Sequence, residues 1–262
     1  MNQDSFAVDR FGTITKWPST QGIDIIYPRQ QTPEGKVRGT CFIVAPVFGK
    51  PPKTKAWAGA SLPQHGFVRL LDANYPVVSG FEASTSTHYL DLNIRPSEGY
   101  PWGFSLGAQI VHSSPHLVDY WLIVGRMQGC ENRGRMPLSF GLHPYFATHG
   151  ESWEIFLGDE LIADSSRSYA KAESFDCVRN QQVFLRTVHG IVKLKLGEFD
   201  RVVIWSDNPL EYVCIVPTLG LRQELLLTPS VMKYGRCRME FIETPRTYTR
   251  HWKEHRKWPA IE

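Results

Sequence analysis

The sequence predicts an all-β protein, a large antiparallel β-sandwich. Short apolar runs bounded by Gly, Pro, Asn and Asp recur along its 262 residues, which is the pattern of a sandwich or barrel. Long helical periodicity is nearly absent. Aromatic residues reach 12 %, with eight Trp, and such residues fill sheet faces and the flat walls of sugar sites. The length suits one large β domain, taken as residues 1–262, and is enough to bury a substantial core.

The early runs are Gly12 to Trp17 and Ile23 to Tyr27, the second closed by Pro28. Thr40 to Ala45 follows and ends at Pro46. Residues Gly49 to Pro63 are rich in Pro, Lys and Gly and predict a long loop, a length that is usually functional or mobile. Further strands are expected at His88 to Ile94, Phe104 to Val111 and Val118 to Gln128. The last is nearly continuous in apolar residues and predicts burial on both faces. Trp153 to Leu157 is another. Val183 to Val188 and Ile191 to Leu196 predict a hairpin turned at His189-Gly190. Arg201 to Trp205, Glu211 to Val216 and Arg236 to Ile242 complete the set.

Composition narrows the function classes. A net charge of +3 argues neither for nor against a polyanionic partner. The C-terminal tail from about 246 (Arg246 to Trp258) is basic and interleaved with aromatics, but the charge is confined to it, so nucleic acid is not the expected partner. The five cysteines are odd in number and form no CxxC pair, which predicts reduced, buried thiols. The N-terminal residues carry no signal-peptide apolar stretch, and no segment is apolar over the roughly 18 residues a membrane span needs. A soluble cytoplasmic protein is the expectation. No metal site is expected either. His112 and His116 flank Pro115, which spoils helical ligand spacing, and no carboxylate joins them.

The chemistry gathers in Met136-Pro-Leu-Ser-Phe-Gly-Leu-His-Pro-Tyr-Phe146. His143 precedes a proline, which disfavours helix for it, so its imidazole is held by a stiff, extended backbone. Imidazole exchanges protons near neutral pH. Two upstream stretches join it, Val37 to Gly49 and Leu62-Pro-Gln-His-Gly-Phe-Val-Arg69.

In order and spacing these three stretches resemble the aldose 1-epimerase (galactose mutarotase-like) family. The His-Gly-Phe-x-Arg form is similar to its hexose-6-phosphate 1-epimerase branch. Phe199 to Ser206 and Tyr212 to Pro217 resemble the family's closing strands. The resemblance implies a β-sandwich with a sugar or sugar phosphate in a cleft on one concave sheet, and ring opening by one acid and one base, with no cofactor. It makes His143 the general acid at the ring oxygen and His65 a second cleft histidine. Arg38 and Arg69 would hold hydroxyls or a phosphate. Asp164 would orient the sugar, with Asp159 as its rival.

One position departs from the family pattern. The family's base is a glutamate directly before a late-strand proline, and here that residue is Val216. An isopropyl group accepts no proton, and losing a base costs about 10²–10⁴-fold in rate. Glu211 is out of phase with that strand face, and Glu224 lies beyond the strand. Two readings follow: an isomerase with a substitute base, or an impaired relative that binds a sugar without turnover.

Overall fold

The computed structural model describes residues 5–71, 77–83, 86–96, 99–128 and 134–243. The basic aromatic tail and Cys130 lie outside these. Among the described residues there is no α-helix, only strands and two 3₁₀ turns. None forms a helix long and apolar enough to cross a membrane.

Strands are numbered in chain order. A seven-stranded sheet runs β1 (Ala7–Val8), β2 (Ile14–Lys16), β5 (Cys41–Val44), β11 (Phe140–Ala147), β18 (Tyr212–Leu219), β17 (Arg201–Ser206), β14 (Tyr169–Asp176). A nine-stranded sheet runs β13 (Glu160–Asp164), β12 (Trp153–Leu157), β15 (Gln182–Thr187), β16 (Gly190–Leu196), β20 (Met232–Glu243), β9 (Leu117–Arg126), β8 (Phe104–Ser114), β7 (Thr87–Ile94), β6 (Val77–Ala83). Two small ribbons pair β3 (Gln30–Gln31) with β4 (Val37–Arg38), and β10 (Met136–Leu138) with β19 (Leu225–Leu227). The strand pairings are antiparallel.

Alternation along each strand sorts the side chains. Ile43, Leu142, Phe146, Val213, Ile215, Val202 and Ile204 enter the core with residues of the nine-stranded sheet. The intervening residues of the same strands, Tyr145, Cys214, Val216 and Val203, form a second buried cluster with Phe42 and Trp205 against it. All eight residues of β11 are buried, half in the core and half beneath the loops that cover the sheet's outer face. That outer face is where the cavity forms. Cys41, Cys177, Cys214 and Cys237 are buried and unpaired, as the composition predicts.

Three expectations need correction. Val118 to Gln128 is not buried on both faces, because Trp121 and Ile123 point outward, 36 % and 43 % exposed. Ile23 to Tyr27 makes only isolated bridges, Pro18 with Asp24 and Ile26 with Phe146, because its backbone bonds divide between Trp17 and Ser19 on one side and Tyr145 and Ala147 on the other. The loop from Gly49 to Pro63 contains a 3₁₀ turn, Lys55–Trp57, whose Trp57 is buried. The hairpin between β15 and β16 forms with Thr187 opposite Gly190.

Candidate active site on the outer face of the seven-stranded sheet

Strand β11 supplies the floor. His143 lies opposite Phe42 of β5. The register on its other side pairs Gly141 with Thr218 and Tyr145 with Cys214, so His143 faces Val216 of β18. Val216 in turn pairs with Val203 of β17. The row Phe42, His143, Val216, Val203 therefore crosses the sheet, with Tyr145, Cys214 and Trp205 in the next row. His143 stacks on Phe42 at 4.8 Å and on Tyr145 at 5.0 Å between ring centroids.

The wall comes from the loop before the second 3₁₀ turn, Val68–Leu70. His65 has φ +67° and Gly66 φ +70°, two successive left-handed residues that fold the chain tightly over β5. Glycine is required at 66, because a Cβ there would sit 2.1 Å from the Ala45 carbonyl oxygen. The His65 N–H donates to the Gly49 carbonyl at 2.7 Å, and the Gly49 N–H donates to Nδ1 of His65 at 3.3 Å. Nε2 of the same ring lies 3.3 Å from the side-chain amide nitrogen of Gln64. The two imidazoles meet edge to face with centroids 5.0 Å apart.

Both imidazoles favour the neutral form. Burial, aided by the charge of Arg69, lowers the His65 pKa to about 4. Burial lowers that of His143 well below its ordinary value, with the charges of His65 and Arg69 adding to it. The Nδ1 atom of His143 is buried without a hydrogen-bond partner among the described residues. Arg38 lies over the Trp205 ring at 5.0 Å and is fixed by Asp207 at 2.6 Å. Arg69 sits 5.5 Å over Phe42, at the rim.

These side chains surround one cavity of about 630 Å³, within the range of small-molecule sites. Lys36, Arg38, Gln64, His65, Arg69 and His143 supply its polar lining, and Tyr145, Trp205 and Val216 part of its apolar lining. No carboxylate among the described residues lines it.

No family model matches the chain, and no curated protein matches it in sequence. Solved structures do. A candidate aldose 1-epimerase from Escherichia coli K12 superposes with TM-score 0.65 at 13 % identity, over 90 % of this chain and 94 % of that one. A candidate mutarotase from Salmonella typhimurium gives 0.62 at 15 %, over 90 % and 85 %. A GalM/aldose epimerase homologue from C. elegans gives 0.62 at 8 %, over 90 % and 94 %. The chain has the galactose mutarotase-like fold.

Within this galactose mutarotase-like sandwich, His65, His143, Arg38 and Arg69 all line the one cavity. Asp164 does not. It ends β13 in the other sheet, where its carboxylate accepts the Ser166 N–H at 2.8 Å, so it shapes a turn. Asp159 is exposed in the turn between β12 and β13. Glu211 accepts the Tyr27 hydroxyl and lines a neighbouring cavity instead. Glu224 accepts the Thr54 hydroxyl at 2.8 Å. Four contributors escaped sequence reasoning. Tyr145 and Trp205 were legible as same-face residues, two positions from His143 and from Val203. Lys36 and Asp207 carry no local signal, because their roles depend on how β4 lies against the end of β17.

Proposed function

We propose that the cavity binds the ring of a hexose phosphate, and that the chain interconverts its anomers poorly. The observation that carries this is the lining: three cations and two imidazoles around a hollow with room for a hexose phosphate, with Trp205 on its wall and no carboxylate among the described residues. Guanidinium groups suit a phosphate oxyanion, which they meet bidentately. Aromatic faces suit the C–H side of a sugar ring.

Ring opening needs a proton acceptor for the anomeric hydroxyl and a donor for the ring oxygen, placed on different sides of the ring. His65 and His143 cannot divide that work across a sugar, because their rings touch edge to face and leave no room between them. The neighbour of His143 on β18 is Val216, fully buried and inert. The hexose-6-phosphate resemblance is supported by the pair Arg38 and Arg69 around one cavity.

A second reading is a slow epimerase with a phenol in place of the carboxylate. Tyr145 lines the same cavity on the same strand face as His143. Burial raises its pKa above the ordinary phenol value, so proton acceptance by it would need alkaline pH.

The test is NMR of glucose 6-phosphate and galactose 6-phosphate with the native protein. Saturable binding with anomer exchange at the spontaneous rate supports impaired turnover. Exchange accelerated by protein at alkaline pH but not at pH 7, and abolished by Tyr145→Phe, supports the second reading. Absence of binding to either phosphate rejects both.

A further inference from the structure

Beside the first cavity lies a second, of about 350 Å³, and Arg38 lines both. The guanidinium stacks on Trp205 in the first and binds Asp207 of the second. This ion pair is the ridge between the two hollows. Their chemistries differ. The first is cationic, with no carboxylate among its described lining residues. The second carries Asp207, Glu211, Asn208, Gln30 and the ring of Tyr27.

We propose that the second cavity is a sugar subsite, and that the ligand is a disaccharide phosphate whose charged unit sits in the first cavity and whose neutral unit crosses the Arg38–Asp207 ridge. The proposal rests on the reading of the first cavity as a hexose phosphate site. Side-chain amides and carboxylates spaced around an aromatic ring are the groups that hold vicinal hydroxyls. The carboxylates also repel a second anion, so the phosphate belongs on the other side of the ridge. Tyr27 is already oriented, since its hydroxyl donates to Glu211 and lies 2.9 Å from the Gln30 amide oxygen.

This ligand class also accounts for Val216. A unit joined through its anomeric carbon has no free anomeric hydroxyl and cannot open its ring. A site for such a unit needs no base, so an isopropyl group beneath it removes nothing that the ligand requires.

The experiment is calorimetric binding to the native protein. The probes are glucose 6-phosphate, maltose 6′-phosphate, cellobiose 6′-phosphate and trehalose 6-phosphate. At least one disaccharide phosphate should bind about tenfold or more tighter than glucose 6-phosphate, as one or two added hydrogen bonds would give. Glu211→Gln with Asn208→Ala should weaken that disaccharide about tenfold, and weaken glucose 6-phosphate several-fold less. If glucose 6-phosphate binds and every disaccharide phosphate binds no tighter, the subsite is wrong and the hexose phosphate reading stands. If the double substitution weakens both ligands equally, the subsite is likewise wrong. If no probe binds, the reading of the first cavity falls and the subsite falls with it.

Discussion

His143 and Val216 face each other across β11 and β18 on the floor of one cavity, an imidazole beside an isopropyl group. An acid–base pair on neighbouring strands would be close enough to serve a single sugar ring. Here one member is chemically silent, and the other is a buried, neutral histidine. The cavity retains its cations and aromatic wall.

Arg69 should discriminate charged from neutral sugars. It lies at the rim over Phe42, and no carboxylate among the described residues pairs with it. Arg69→Ala should cost about 1.5–3 kcal/mol of glucose 6-phosphate binding, as loss of a charge-assisted hydrogen bond does, which is about 10–150-fold in Kd. Glucose affinity should change much less. Titration calorimetry of both ligands measures this, and an equal loss for both would remove phosphate from the role of Arg69.

The imidazole pair should make stability depend on pH. Folding holds the His65 pKa at about 4 and that of His143 well below its usual value, whereas an unfolded histidine titrates near 6.5. Between about 4 and 6.5 the unfolded chain binds more protons, so stability rises with pH through that window and is fully present above it. The urea midpoint of the native protein should fall from pH 7.5 to pH 5. His65→Asn, which tolerates the left-handed backbone, should fall less over the same range. Identical pH profiles would contradict the burial of a neutral His65.

Gly66 should be irreplaceable. An added Cβ meets the Ala45 carbonyl at 2.1 Å in a backbone with φ +70°, so Gly66→Ala should destabilise by about 2–4 kcal/mol. Thermal denaturation reads this directly. A stability within about 0.5 kcal/mol of native, the range of an ordinary surface change, would show that the loop carrying His65 is not packed against β5.

Much of this arrangement was legible before any coordinates. Pro144 marks His143 as extended, and the short apolar runs mark most of the long strands. The failures share a physical origin. Asp164 is a carboxylate near the expected spacing, yet sequence cannot say that β13 joins the opposite sheet. The edge strands Tyr169–Asp176 and Met136–Leu138 were missed because one is mostly polar and the other contains Pro137. The apolar run of β9 read as doubly buried, since nothing local distinguishes Trp121 on an outer face from a tryptophan in the core.

The central claim is that Val216 silences a sugar site that otherwise persists. Exchange spectroscopy on the anomers of glucose 6-phosphate, with native protein and with Val216→Glu, tests it most directly, provided both proteins melt cooperatively. The native protein should bind the sugar phosphate saturably and leave exchange at its spontaneous rate. The variant should accelerate exchange, with a gain toward the roughly 10²–10⁴-fold that a positioned base supplies. Rapid exchange by the native protein, unchanged in the variant, would contradict the account.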